Sequence, residues 1–459
     1  MQEFHYRDFV SRFDANGNLA CSCGQTHSLA TRDTLVSHGA LEQSAALLQQ
    51  RVGSRTRLWV LSDENTEQAA GRRWKAAAGP ARIFSRVLAG SPRPLPTAEL
   101  VDQLSGEVAS AGPQLLVAVG GGVVSDLVKR LSLLRDIPNW CVATAPSVDA
   151  YSSGTAAINT DAFHGSIPAR ASEVIVCDLP VMEKAPRDMH LAGLGDLLAK
   201  FLSFLDWNLS RLVTGEMYCP LISDTALQSA RTALLAARRM ALEPAEAART
   251  LTDAALSSGF AMQALASSRS AASAEHTMAH FWESAHSVGS KRWDFHGILT
   301  GATSRIMLHA YQGMYARLAA HEVDEAARLA LFDREPAWEQ TLEEGIRPFL
   351  ARVRQQMARR PAGKADLERR LAAYRAVRPQ IAELASAILS ELSASVDTLT
   401  GIGFPFSLRE LEIPPESALL ALRNIRLLRC RYSTFDLAYD LGLEKEMQEL
   451  ARQAVADAS

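Results

Sequence analysis

The sequence predicts an α/β fold over residues 1–185 and an all-α fold over residues 186–459. Three observations carry that expectation. Short apolar runs alternate with amphipathic stretches through the first 180 residues, the pattern of a parallel sheet covered by helices on both faces. One run ends in the triplet Gly120-Gly121-Gly122, which breaks a strand and opens a helix. After Pro186 apolar residues recur at helical spacing, alanine and leucine dominate, and no convincing strand appears until the end of the chain.

The elements follow in order. Cys21-Ser22-Cys23-Gly24-Gln25-Thr26-His27 holds metal-ligating residue types, but with no second pair at zinc-finger spacing it reads as a turn leading into the first strands. Leu58–Leu61 is a strand ending in Ser62-Asp63, and Thr66 to Ala78 reads as helix. Pro92 to Pro96 is a loop, and Thr97 caps a helix running to Ala111. Leu115–Val119, Trp140–Ala143 and Val174–Cys177 are buried strands. Ala365 to Glu391 is a long arginine-rich amphipathic helix, with a kink or break expected at Pro379. Arg423, Arg426, Arg429 and Arg431 are expected to decorate a terminal helix. The two domains meet near residues 183–188, and such a junction is a favoured place for a cleft.

Composition excludes several classes. Hydrophobic residues at 47% and charged residues at 22% argue against long disorder. A net charge of −3 supplies no basic field for nucleic acid or an anionic membrane. No apolar run approaches the ~18 residues of a membrane helix, and the first residues carry neither a basic nor an apolar leader pattern. Six scattered cysteines suit a reduced, cytoplasmic protein.

Three segments carry chemistry. In Gly121-Gly122-Val123-Val124-Ser125-Asp126 the glycines let backbone approach a diphosphate, and the following helix turns free N–H groups toward it. The spacing is not the usual Gly-x-Gly-x-x-Gly, and a tight strand-to-helix turn explains the triplet equally well. Thr144-Ala145-Pro146-Ser147-Val148-Asp149, with Ser153 beyond it, lies at a strand's carboxyl end, where open parallel sheets bind ligands. Its hydroxyls suit a cofactor and Asp149 suits a substrate hydroxyl; a capped polar loop is the plainer alternative. His276, His280, His286 and His296 crowd four of the chain's eleven histidines into 21 residues. His276 and His280 are i and i+4, hence on one helix face, and His296-Gly297 begins a segment that can return to it. Two imidazoles plus one carboxylate leave a divalent metal an open position, as catalytic sites require. Asp196, after Gly193 and Gly195 at the expected start of an apolar helix, is the carboxylate that fits; alone it would read as a helix cap.

This ordered set resembles the iron-containing alcohol dehydrogenase and dehydroquinate synthase-like superfamily, and within it the sn-glycerol-1-phosphate dehydrogenase family. The matching residues run from Cys21-x-Cys23-Gly24-x-x-His27 through Gly120–Lys129, Thr144–Ser153, Ala185-Pro186 and Gly193–Lys200. Asp206-Trp207, Glu275–His280, His296-Gly297 and Arg431–Thr434 complete the series. The resemblance implies that Asp196, His276 and His296 bind one divalent metal, zinc foremost, with nickel and ferrous iron as the alternatives the donors also suit. It implies that Asp63, Gly121, Gly122, Val123, Val124, Ser125, Asp126, Thr144, Ser147 and Ser153 hold NAD(P), and that Asp149, Asp196 and His280 meet the substrate. Asp149 and His280 are the implied catalytic residues. The implied reaction interconverts dihydroxyacetone phosphate and sn-glycerol 1-phosphate, in a homodimer. Lys200 stands where some relatives place a further histidine ligand, which suits a three-ligand site.

The chain departs from the family pattern in three places. Ser270-Ala271-Ala272-Ser273-Ala274 replaces a Pro-Ala-Ser-Gly-like segment, and His164-Gly165-Ser166-Ile167-Pro168 replaces a strand that often carries lysine. The loop Ser287-Val288-Gly289-Ser290-Lys291-Arg292 offers compensating cations. The chain is also long for the family, with the excess expected after residue 330. Two enzyme alternatives are a polyol dehydrogenase and a dehydroquinate synthase-like lyase. The lyase is disfavoured because Asp196 stands where those enzymes have glutamate. A cofactor-binding protein without activity is the third alternative, disfavoured by the intact Asp196, His276 and His296.

Overall fold

The computed structural model describes residues 3–459 except 54–55, 80, 161–162, 286–294, 321–322 and 362. A six-stranded sheet runs in the order Asp33–Ser37, Val174–Asp178, Asn139–Ala143, Leu115–Gly120, Arg57–Asp63, Arg82–Leu88. Every neighbouring pair is parallel. The two strands of this sheet absent from the sequence reading are its edges. Arg82–Leu88 mixes exposed and half-buried residues up to buried Leu88 and carries Arg82, Ser85 and Arg86, and Asp33–Ser37 is half-buried throughout. Neither has the continuous apolar run that marks a strand buried on both faces.

Successive residues of the central strands feed opposite cores. Val60, Val117, Val119, Val142 and Val176 pack with Leu41, Leu48 and Trp74. Trp59, Leu61, Leu116 and Ala118 pack with Leu104, Val108, Leu127 and Leu131 from the helices Ala98–Ala111 and Gly122–Arg135. Each such side chain contributes roughly 1.5–3 kcal/mol by leaving water. Thr97 caps its helix as expected, its hydroxyl accepting the Leu100 N–H.

No strand follows Asp178 among the described residues; the chain continues as helices. The helix Lys364–Gly401 runs unbroken through Pro379, so the chain makes no break there. Buried Leu367, Leu371, Tyr374, Ile381, Ala385 and Ile388 anchor it on both sides of the proline, so packing outweighs one missing main-chain hydrogen bond. The first residues do not stay with the sheet alone. Tyr6, Phe9 and Leu29 share a core with Trp207, Ile222, Leu256 and Phe260 from the helical half. Among the described residues, no helix is long and apolar enough to cross a membrane.

Candidate active site

The strand order reverses between Arg57–Asp63 and Leu115–Gly120, because the chain leaves the first outward to the edge and returns on its other side. The carboxyl ends of such strands diverge into a crevice. A cleft of about 890 Å³ opens there, lined by Asp63, Gly121, Gly122, Val123, Val124, Asp126, Thr144, Ser147, Asp149 and Ser153. Gly121 is the residue before the helix Gly122–Arg135, so that helix turns its N-terminal N–H groups to the cleft. Ser125 does not line it. Its side chain is fully buried, 3.8 Å from the Cys141 thiol, which leaves only its backbone for a ligand.

Asp63 and Asp126 are already engaged. The Asp63 carboxylate accepts the Thr66 N–H as a helix cap. Asp126 lies 2.8 Å from Lys129 Nζ and accepts the Ala157 N–H. Lys129, fully buried, also donates to the carbonyls of Ala150 and Thr155, and so fixes the loop beyond Asp149.

The other end of the cleft holds the histidines. Asp196 lies near the C-terminal end of the helix Arg187–Leu198, not at a helix start as the sequence suggested. The local reason is close packing. A Cβ on Gly195 would stand 2.1 Å from the Gly297 carbonyl oxygen, and one on Gly297 would stand 1.8 Å from that of Ala192. Only glycines let the helices Arg187–Leu198 and His296–Ala320 approach so closely, and that approach brings Asp196 to His296. His276 and His280 lie on the helix Ala274–Ala285. Donor atoms of Asp196, His276 and His296 all fall within 4.8 Å of one another. His286 and the loop of residues 287–292 lie outside the described residues.

Each imidazole is held by a carboxylate. His276 Nδ1 is 2.9 Å from Glu275 Oε1, leaving Nε2 toward Asp196 at 3.3 Å. Glu283 serves two rings, with Oε2 2.9 Å from His280 Nδ1 and Oε1 3.0 Å from His296 Nδ1. Glu283 was missed in the sequence, although His276, His280 and Glu283 recur at one helical face. Carboxylates placed behind imidazoles fix the ring and raise its basicity toward a metal.

Asp149 and Asp196 share a third partner. Lys200 Nζ, fully buried, is 2.8 Å from Asp149 Oδ2 and 3.3 Å from Asp196 Oδ1. The Asp149 N–H donates to Asp196 Oδ2, and Ser258 donates to Asp149 Oδ2 at 2.6 Å. Burial opposes the charge of Asp196, but Lys200 and the two imidazoles outweigh it and hold the carboxyl well below its ordinary range. Burial, and then the Asp196 charge, push Asp149 up. Burial likewise works against the His296 imidazolium, yet Glu283 and Asp196 raise it to about 9.

Arg429 and Arg431 do not decorate an exposed helix. Both follow the short helix Ile425–Leu428 and line a second cavity of about 1900 Å³, and both donate to the Ser268 hydroxyl. Thr155, Ser166 and Ser268 border this cavity and the cleft alike. Burial and neighbouring arginines push Arg429 down to about 10 and hold Arg431 well below its usual range. Nη1 of the adjacent Arg269, itself buried, has no hydrogen-bond partner among the described residues.

Comparison with known proteins places the chain in a family. Residues 35–186 match the model of a family described as iron-containing alcohol dehydrogenase. The glycerol-1-phosphate dehydrogenase [NAD(P)+] of Geobacillus thermodenitrificans is 30% identical over 308 residues, 65% of this chain and 74% of that one. The protein of the same name from Methanosphaerula palustris is 30% identical over 61% of this chain and 76% of its own. The chain belongs to the glycerol-1-phosphate dehydrogenase family. The superfamily's fold is shared as well. A probable glycerol dehydrogenase from Sinorhizobium meliloti 1021 superposes with a TM-score of 0.58 at 15% identity, covering 92% of this chain and 98% of its own. The NADH-dependent butanol dehydrogenase A of Thermotoga maritima gives 0.58 at 15%, over 94% and 97%. Like these two dehydrogenases in fold, the chain joins a parallel sheet to a helical region.

Proposed function

We propose that the protein is a metal-dependent NAD(P)-linked dehydrogenase that interconverts dihydroxyacetone phosphate and sn-glycerol 1-phosphate. The observation that carries this reading is one continuous cleft with a glycine turn and helix N-terminus at one end and the Asp196, His276, His296 cluster at the other. Residues 1–185 would serve the dinucleotide and residues 186–459 the metal and substrate.

The donors fit a divalent cation. One carboxylate and two imidazoles converge, and Asp149 and Asp196 exceed the charge of Lys200 by one. When bound there, zinc, nickel or ferrous iron would supply Lewis acidity to the C2 oxygen, and the nicotinamide would supply the hydride. The chain's own residues do the rest. The Gly121–Val124 turn receives the diphosphate, while Thr144, Ser147 and Ser153 offer hydroxyls along the same wall. Asp149, held by Lys200 and Ser258, accepts from a substrate hydroxyl. His280, steadied by Glu283, stands in the cleft to move the proton at the C2 oxygen.

The phosphate falls to the arginines at Ser268. Arg269, Arg429 and Arg431 crowd together beside the cleft, and a dianion would relieve their mutual repulsion. They supply the charge that the sequence lacks after Asp149. A cytoplasmic homodimer is the setting the family resemblance implies, and the six unpaired cysteines suit it. The test is oxidation of NADH or NADPH on adding dihydroxyacetone phosphate to metal-loaded protein, with glycerol and NAD(P) as the second arm. Turnover in the second arm alone would replace this reading with a polyol dehydrogenase.

A further inference from the structure

The hairpin Asn18–Ala20 with Thr26–Ser28 closes on the turn Cys21–Gln25. Gly24 makes the turn possible. Its φ of +84° is open to glycine, and its N–H donates to the Cys21 carbonyl. The turn brings Cys21 and Cys23 together with His27 from the second strand. A fourth group arrives from far along the chain: Cys219, fully buried at the start of the helix Pro220–Arg239.

The four donor atoms lie within 4.8 Å of one another. Cys21 Sγ is 3.6 Å from Cys219 Sγ, and Cys23 Sγ is 3.3 Å from His27 Nε2. A disulfide would need about 2.05 Å. A tetrahedral zinc ion with Zn–S near 2.3 Å and Zn–N near 2.0–2.1 Å sets its donors roughly 3.5–3.8 Å apart. The observed spacings match zinc far better than a disulfide. His27 Nδ1 lies 3.0 Å from the Ala264 carbonyl oxygen. A carbonyl can only accept, so Nδ1 carries the proton and Nε2 turns its lone pair to the thiols, as a ligating histidine requires.

We propose that Cys21, Cys23, His27 and Cys219 hold a structural zinc ion, separate from the metal in the cleft. Three thiolates and one imidazole fill all four positions, so this ion has no place for substrate. It ties the N-terminal hairpin to the helical half inside the core of Tyr6, Phe9, Trp207 and Phe260. The tie reaches the Asp149 loop through Gln263, the residue before Ala264, which receives the Ala30 N–H and donates to the Ser152 carbonyl. The sequence hid the site because its fourth ligand stands 192 positions beyond His27.

The experiment is metal analysis of full-length protein with the cleft ligands removed. His276→Ala/His296→Ala should retain one zinc per chain through dialysis against a chelator. Adding Cys23→Ser to that background should remove it. Zinc unchanged by Cys23→Ser would overturn the proposal. Should the serine variant fail to fold, cobalt substitution in the His276→Ala/His296→Ala protein decides alone. An intense thiolate-to-cobalt charge-transfer band supports the site; its absence, or a Cys21–Cys219 disulfide found by mass spectrometry, refutes it.

Discussion

Lys200 and Asp149 form a buried ion pair, Nζ to Oδ2 at 2.8 Å, between the helical half and the loop at the sheet's carboxyl edge. The same ammonium reaches Asp196, so one cation spaces two carboxylates that would otherwise repel. Lys200→Met should therefore cost about 3–5 kcal/mol of stability in metal-free protein, because it strands two buried charges. Urea unfolding with and without added zinc checks this. A smaller loss in the zinc-loaded protein is expected, since the metal replaces the missing positive charge.

Asp149→Asn should lower turnover by on the order of tenfold to a hundredfold and leave NADH affinity nearly unchanged. The amide accepts more weakly and sets a donor against Lys200 and Ser258. Fluorescence titration with NADH beside steady-state kinetics is the check. A large loss of NADH affinity at normal turnover would move Asp149 to the cofactor.

His276→Ala and His296→Ala should each abolish the cleft metal and activity, because a three-ligand site has none to spare. Glu283→Gln should weaken metal binding by about 10- to 100-fold, as expected for the group that orients His296. His280→Ala should keep the metal and lose chiefly kcat. Metal content and kcat measured on the same preparations separate the three outcomes.

Asp206 provides a pH signature outside the proposed ligand set. It accepts from Ser273, Tyr311 and Thr434, yet burial pushes its carboxyl up to about 6. A carboxyl near 3.9 in the unfolded chain then binds its proton more tightly when folded. Its contribution is present in acid and is lost as pH rises from about 4 to 6, on the order of 2–3 kcal/mol. Unfolding of wild type against Asp206→Asn across that range should show the difference falling as pH rises. A flat difference would contradict the assignment.

Arg429→Gln should lower kcat/KM for dihydroxyacetone phosphate by about 10- to 100-fold and leave dihydroxyacetone nearly unaffected. Arg429 is preferred to Arg431, which also braces the Ser268 and Ala272 carbonyls and whose loss would disturb the cleft wall. Equal losses on both ketones would remove the phosphate from this cluster.

The central strands, the glycine turn and the histidine helix were legible because each has a local signature: an apolar run, a triplet, an i, i+4 pair. The edge strands were not, since half-exposed edges such as Arg82–Leu88 mix charged and apolar residues. Asp196 was legible as a ligand type but misplaced on its helix, because Gly195 serves contact with another helix and Gly193 contact with the Pro146 carbonyl, instead of starting a helix. What escaped entirely was long-range. Cys219 beside Cys21, Arg429 and Arg431 beside Ser268, and Lys200 between two aspartates are meetings that only the folded chain makes.

The most direct test compares kcat/KM for dihydroxyacetone phosphate and for dihydroxyacetone, following NADH or NADPH absorbance with one metal at one pH. The phosphate should both add affinity and hold C2 in register, so the phosphorylated ketone should win by at least about a hundredfold. Equal values, or no oxidation of either cofactor by dihydroxyacetone phosphate, would contradict the account.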